Sequence, residues 1–410
     1  MNNQSRKIIF ISIFLVITAL AAYFLWRIFT GQPLLNKNNE IEQINNASLP
    51  SSSPSGQVIP VRPNTNNNLP TDTGTASQDQ PSTPSTGRDN KITSPNNFPI
   101  LAATLDASGN TVQYYDPLEN RFYQLDQNGN PKPLTDKLFY NVDKLSWSPD
   151  KSRAIIEYPD GSKNIYNFND QSQVSLPKHW QEFQFSPSGE QIAFKSIGYE
   201  TDNRWLSIMN ADGSGAQNLE KLGANADKAV VNWSPNRQIV ATFQDASDYN
   251  RQQIYFIGLN HENFKSLVVQ GRGFQSKWSA DGNQLLYSVY TDVNEYKPSL
   301  WISNASGDSI GQNNRPLEIE TWAEKCSFVD DKTIYCAVPR SMSAGAGWLP
   351  YSSLDTPDDV YSIDLASGAK TLISSEGTYN MSDLIITKDG STLYFTDNIT
   401  GGLYKLALNN

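Results

Sequence analysis

From about residue 90 onward, apolar residues come in short runs separated by small polar turn clusters, and the alternation repeats. Leu145-Ser146-Trp147-Ser148-Pro149-Asp150 leads through Lys151 into Ala154-Ile155-Ile156. The order is strand, tight turn, strand: Pro149 presets φ for the turn, and the Asp150 carboxylate can bond its own backbone there. The same grammar returns in Phe185-Ser186-Pro187-Ser188-Gly189 before Ile192, Trp233-Ser234-Pro235-Asn236 before Ile239 and Trp278-Ser279-Ala280-Asp281-Gly282 before Leu285. Phe328-Val329-Asp330-Asp331 before Ile334 and Ile386-Thr387-Lys388-Asp389-Gly390 before Leu393 continue it, and a fainter copy at Leu105-Asp106-Ala107-Ser108-Gly109 precedes them all. The anchors Leu105, Trp147, Phe185, Trp233, Trp278, Phe328 and Ile386 lie 42, 38, 48, 45, 50 and 58 residues apart. A hairpin recurring with a period in the forties predicts the blade of a β-propeller. One small sheet cannot bury both of its faces unless neighbours stack on it.

Each repeat continues alike, with an aromatic-rich strand, a Gly/Asn/Asp turn and a short outer strand. Trp205 to Met209, Asn210-Ala211-Asp212-Gly213-Ser214-Gly215 and Gln217 to Leu219 show the order, and Val360 to Leu365, Ala366-Ser367-Gly368 and Lys370 to Ile373 repeat it. Four strands per blade follow, A innermost to D outermost. Trp-Ser-Pro-Asp, an apolar strand, then Asp-Gly-Ser-Gly before an outer strand resembles the WD40-like (PD40) repeat of TolB-type propellers. The resemblance covers roughly Asn90 to Asn410. It implies the fold and no single activity, because propellers host many. The expected class is all-β, a seven-bladed propeller of four-stranded blades. In the last repeat, strands at Asp383 to Ile386, Leu393 to Thr396 and Leu403 to Leu408 lack a fourth member, and Asn90-Lys91-Ile92-Thr93-Ser94 has the character of an outer strand. That segment is expected to close the ring beside Leu403 to Leu408, removing an open sheet edge.

The residues before the propeller have a different composition. Arg6-Lys7 precede Ile8 to Trp26, a charge-free stretch closed by Arg27. At about 1.5 Å per residue such a helix spans roughly the 30 Å hydrocarbon core. Ala19-Leu20-Ala21 has the small-x-small form of a signal-peptidase site, yet Tyr23-Phe24-Leu25-Trp26 carry the apolar run beyond it into an aromatic interface. Residues 1–30 are therefore expected to be an uncleaved single-pass anchor of the cytoplasmic membrane, with the propeller on its outer side. Residues 31–89 are rich in Asn, Ser, Thr, Pro and Gln without hydrophobic periodicity. They are expected to form a disordered tether, followed by the propeller over 90–410.

Charge and rare residues narrow the function. A formal charge of −10 and a pI near 4.8 argue against a nucleic-acid or anionic-lipid surface, which needs a basic stripe. With two cysteines and two histidines, Cys/His metal clusters are nearly excluded, and no cofactor or metal is expected. No Gly-x-Ser-x-Gly elbow occurs, and Gly213-Ser214-Gly215 belongs to a turn. His179 and His261 fall in connections at opposite ends of the blades. Asp245, Asp248, Asp292 and Glu295 are plentiful in loops without defining a pair. Cys326 and Cys336 face each other if Phe328 faces Ile334, within disulfide range, and an exported protein favours that bond.

The candidate binding face follows from topology. A–B and C–D turns share one end of the ring, B–C and D–A connections the other. The B–C connections vary in length, at Ile197 to Asn203, Gln244 to Arg251, Tyr290 to Pro298 and Pro339 to Pro357. They carry Tyr199, Tyr249, Tyr296, Trp348 and Tyr351, and the D–A connections add Tyr140, Trp180, Phe274, Trp322 and Tyr379. The D–A set is also placed to pack between blades. Ser341 to Gly347 is flexible by composition and would present Trp348 and Tyr351 on a mobile arm. Tyr and Trp anchor interfaces and stack on sugars. The sequence therefore implies a monomeric propeller binding an envelope protein or glycan. The alternative is an extracytoplasmic hydrolase or lyase acting on glycans or peptides at the channel mouth. A carboxylate cluster with an arginine would mark the enzyme, an aromatic face with scattered carboxylates the binder.

Overall fold

The computed structural model describes Thr18 and residues 92–96, 98–349, 353 and 355–408. The anchor and tether expected in residues 1–89 lie, Thr18 apart, outside the described residues. Among the described residues no helix is long and apolar enough to cross a membrane. The chain divides into Met1–Thr83 and Pro84–Asn410, and every described strand belongs to the second unit.

That unit forms seven four-stranded antiparallel sheets, the blades of a propeller. Six use four consecutive strands, and the innermost ones are Leu101–Leu105, Lys144–Trp147, Trp180–Phe185, Ala229–Val231, Arg272–Trp278 and Cys326–Phe328 for blades 1 to 6. Blade 7 takes Met381–Ile386, Thr392–Asp397 and Leu403–Ala407 from the end of the chain and its outer strand, Ile92–Asn96, from before blade 1. Ile92 pairs with Leu406 and Thr93 with Lys405, so the closure expected from Asn90 to Ser94 is the one adopted.

The turn motif owes its recurrence to a hydroxyl lock. Ser148 Oγ accepts from Arg153 N at 2.9 Å and lies 2.6 Å from Asp150 Oδ1, which also accepts from Ser152 N at 3.1 Å. Ser234 with Asn236, Ser279 with Asp281 and Thr387 with Asp389 repeat the pairing. The strand following each lock is apolar at successive positions because both faces are covered. Side chains alternate across a strand, so Ala154 and Ile156 join the core against blade 1 while Ile155 joins the one against blade 3. Seven such clusters fill the seven interfaces between blades. Two of the motif tryptophans also tie inner strands together, Trp147 Nε1 donating to Ala102 O at 2.8 Å and Trp278 Nε1 to Asn232 O at 3.2 Å.

Cys326 and Cys336 are opposed in the blade 6 ladder with Cα atoms 4.0 Å apart and form a disulfide. The closed loop is short, so chain-entropy reasoning gives a stabilisation of about 3 kcal/mol. Replacing both by Ala is expected to lower the unfolding free energy by about that much in denaturant titrations. Unreduced, denatured protein should take up no alkylating label.

Candidate ligand-binding face

The B–C loops of blades 4, 5 and 6 converge on one cleft of about 200 Å³, lined by Tyr249, Asn250, Arg272, Tyr290, Thr291, Tyr296 and Trp348. Asp248 shapes the blade 4 loop: its carboxylate accepts from Asn250 N at 2.9 Å and Arg251 Nε at 2.7 Å, leaving Tyr249 at the tip, two-thirds exposed. In blade 5 a single helical turn, Asp292–Asn294, ends in two consecutive left-handed residues, Glu295 at φ 51° and Tyr296 at φ 56°. Their carbonyls receive the long blade 6 loop, with Gly345 N donating to Glu295 O at 2.7 Å and Gly347 N to Tyr296 O at 2.8 Å. Ala346 between them is fully buried. The segment expected to be a mobile arm is thus clamped onto its neighbour through Gly345 and Gly347. A Cβ on Gly347 would stand 2.5 Å from Tyr290 Cβ, which explains the glycine there.

The clamp puts Trp348 over Tyr296, ring centres 4.6 Å apart, with Tyr290 behind at 6.1 Å. Tyr249 and Tyr296 meet through their hydroxyls at 3.2 Å. Trp348 remains half exposed. Of the aromatics singled out from sequence, Tyr249, Tyr296 and Trp348 come together here, while Tyr351 lies outside the described residues. Tyr199 is almost wholly exposed and lines a separate hollow on blade 3 with His179 and Trp205, and Tyr140 stands exposed on its own connection. Tyr140 apart, the D–A aromatics are packed rather than exposed, as their placement between blades allows. Phe274 and Trp322 are each only 4% exposed, Trp180 stacks on Phe194 at 4.1 Å, and Tyr379 packs on Tyr404 at 4.5 Å. Trp180 and Phe274 lie within inner strands, and their rings, like that of Tyr379, pack on aromatics of their own blades. Sequence reasoning missed Tyr290 and Arg272. Their signal was Gly271-Arg272-Gly273, because a Cβ on Gly273 would collide with the Tyr290 ring.

The loop carboxylates are held locally rather than gathered. Asp245 pairs with Lys228 at 2.9 Å, Asp248 with Arg251 at 2.6 Å and Glu295 with Lys297 at 2.9 Å. A second, larger cavity of about 760 Å³ lies among inner strands of blades 1, 2, 3 and 7, lined in part by Asp143, Lys144, Glu157, Lys163, Glu182 and Asp383. Ala102, Glu182 and Asp383, at φ 53°, 54° and 48°, sit at equivalent bulges in three inner strands and line it together. Burial raises the pKa of Glu157 and Asp383, opposed by Lys163 and Lys277 respectively. Lysines, not an arginine, accompany these carboxylates. Among the described residues no group of His, Cys, Asp and Glu is placed to hold a metal.

No family model matches the sequence, and no curated protein matches it either. Solved structures do. The β-propeller domain of Cps50 (Swd1) from Myceliophteria thermophila is similar over 78% of this chain and 100% of its own, at 10% identity and TM-score 0.52. An oligogalacturonate lyase in complex with manganese matches 78% of this chain and 93% of its own, at 12% identity and TM-score 0.48. The tricorn protease matches 78% of this chain over 34% of its length, at 11% identity and TM-score 0.49. At such identities the likeness is one of fold: the chain is a seven-bladed β-propeller.

Proposed function

We propose that this propeller is a non-enzymatic binding module of the cell envelope, held at the outer side of the cytoplasmic membrane by residues 8–26. It takes an envelope glycan or protein on its B–C face. The observation that carries the reading is the cleft assembled from three blades: three tyrosines and a tryptophan, with no carboxylate among its lining residues. Its volume, about 200 Å³, is below the roughly 300–1,000 Å³ of pockets that engulf a drug-sized ligand. Such a cleft grips one unit of a longer chain. Rings already packed on one another lose little freedom when a ligand lands on them, which is why buried aromatic anchors dominate binding energies.

The enzymatic alternative would have to use the channel cavity, where Glu157 and Asp383 have raised pKa values. A cross-linking pull-down from native membranes tests the binding reading at its cleft. Trp348→Ala and Tyr296→Ala are each expected to reduce partner recovery by about tenfold or more, as truncation of an interface anchor does. Lys332→Ala, on an A–B turn at the other end, should leave recovery unchanged. Loss of the partner with Lys332→Ala and retention with Trp348→Ala would place binding on the opposite end of the ring.

A further inference from the structure

The cleft contains one feature that an aromatic platform alone does not need. Arg272 opens the inner strand of blade 5, opposite Tyr290 in the ladder. Its guanidinium makes a single hydrogen bond among the described residues, from Nη1 to the backbone carbonyl of Asp248 at 3.0 Å. No described carboxylate pairs with it. The cations on neighbouring loops are neutralised: Arg251 by Asp248 at 2.6 Å, Lys297 by Glu295 at 2.9 Å and Arg340 by Asp359 at 2.6 Å. In a chain of net charge −10, Arg272 is a cation in the cleft with no ion-paired partner among the described residues.

The position is also sterically built. Gly271 and Gly273 flank Arg272 at φ 148° and 68°; a Cβ on the first would stand 2.7 Å from Val289 Cβ, and one on the second would run into the Tyr290 ring. The strand therefore gives up one side chain to the packing of Val289 and another so that the Tyr290 ring can lie across it. Tyr249, Tyr290, Tyr296, Thr291 and Asn250 line the same cleft and supply it with hydroxyls and an amide. Flat apolar faces suit the C–H face of a pyranose, and the hydroxyls and amide suit its OH groups. A planar guanidinium fork with free N–H groups suits a carboxylate, which it can grip with two parallel hydrogen bonds. A peptide strand would seek unpaired backbone groups, but the loop carbonyls of Glu295 and Tyr296 are already taken by Gly345 and Gly347.

We propose that the cleft is a subsite for a carboxylated saccharide, its sugar ring on Trp348 and Tyr296 and its carboxylate on Arg272. The inference rests on the binding-module reading above and names the ligand class. It is tested with the full-length protein in detergent micelles, by calorimetry against three probes: a hyaluronan oligosaccharide, the same oligosaccharide with its carboxyls reduced to alcohols, and a dextran sulfate oligosaccharide. The wild type is expected to prefer the carboxylated probe over its reduced form by about tenfold or more, the range of a charge-assisted hydrogen bond. Arg272→Gln should abolish that preference while leaving weak binding of the reduced probe and the melting temperature unchanged. Arg272→Lys should restore only part of it. Trp348→Ala should weaken both carboxylated and reduced forms together. Equal binding of the two forms by the wild type, or an unchanged preference in Arg272→Gln, overturns the inference, as does tighter binding of the sulfated probe. If the wild type binds none of the probes, the saccharide assignment falls, while the pull-down with Trp348→Ala still decides the binding-module reading by itself.

Discussion

Replacing Lys325 by Met is expected to destabilise the propeller by about 3–5 kcal/mol, the usual penalty for leaving a buried charge without its partner. Lys325 ends the short helical turn Ala323–Lys325 that leads into blade 6, and it is 6% exposed. Its ammonium contacts both oxygens of Asp358, at 2.9 and 2.7 Å, and Asp358 is completely buried. The carboxylate also accepts from Met381 N at 2.6 Å, and Asn380, beside Met381, donates to Ser353 O at 2.8 Å and Thr356 O at 2.9 Å. One ion pair thus joins the start of blade 6, its long B–C loop and the start of blade 7. Burial raises the Asp358 pKa, and Lys325 opposes that rise. Without the lysine the pKa climbs further. A carboxyl whose folded pKa lies above its unfolded value loses stability as pH rises and regains it as pH falls through the folded pKa. The deficit of Lys325→Met relative to wild type should therefore shrink on acidification. Lys325→Met combined with Asp358→Asn removes the charge yet keeps an acceptor for Met381 N, and should recover most of the loss. Denaturant midpoints of the three proteins across pH check this; a deficit independent of pH and not relieved by Asp358→Asn would show that packing, not charge, sets the effect.

Deletion of residues 1–96 is expected to produce a propeller that melts earlier and aggregates, whereas deletion of residues 1–87 leaves melting and monodispersity as they are. The longer deletion removes the outer strand of blade 7. Ile92 packs against the core that holds Met381, Leu393 and Phe395, and Ser94 Oγ donates to Leu403 O at 3.1 Å. Net hydrogen bonds worth about 1 kcal/mol each and partial burial of one isoleucine put the loss at roughly 3–5 kcal/mol. The larger consequence is exposure. Leu403–Ala407 would become an edge strand with a row of unpaired N–H and C=O groups, a template for pairing with another chain. Thermal melts and light scattering of the two truncations decide it. A monomeric 97–410 fragment with unchanged melting would mean that the seventh blade needs only three strands.

The parts of this protein legible in the sequence are those set by neighbours along the chain. The Ser148–Asp150 turn lock is made within six residues, from Ser148 to Arg153, so it and its copies at Ser234, Ser279 and Thr387 announce their hairpins locally. Ala154-Ile155-Ile156 is apolar at every position because it is buried on both faces, which identifies stacked blades without naming the contacts. Cys326 opposes Cys336 through a hairpin register that counting can supply. Even the closing strand is visible, as an outer-strand pattern at Ile92 matched by a missing fourth strand beside Leu403. The aromatic residues are a different matter. Phe274 and Tyr296 read alike as aromatics near the same end of the ring, yet Phe274 lies within an inner strand and fills core while Tyr296 sits on a B–C loop and lines an open cleft. Arg272 and Tyr290 are marked in sequence only by the flanking Gly271 and Gly273, and become part of a cleft only when loops from residues 249, 291 and 348 arrive beside them. The composition of Ser341 to Gly347 suggests freedom, but hydrogen bonds to Glu295 and Tyr296 hold it in place. Turn chemistry and strand alternation are short-range properties that a chain carries on its surface as pattern. The exposure of a ring or the pairing of a charge depends on what lies across the interface between blades, and that is decided only when the ring closes.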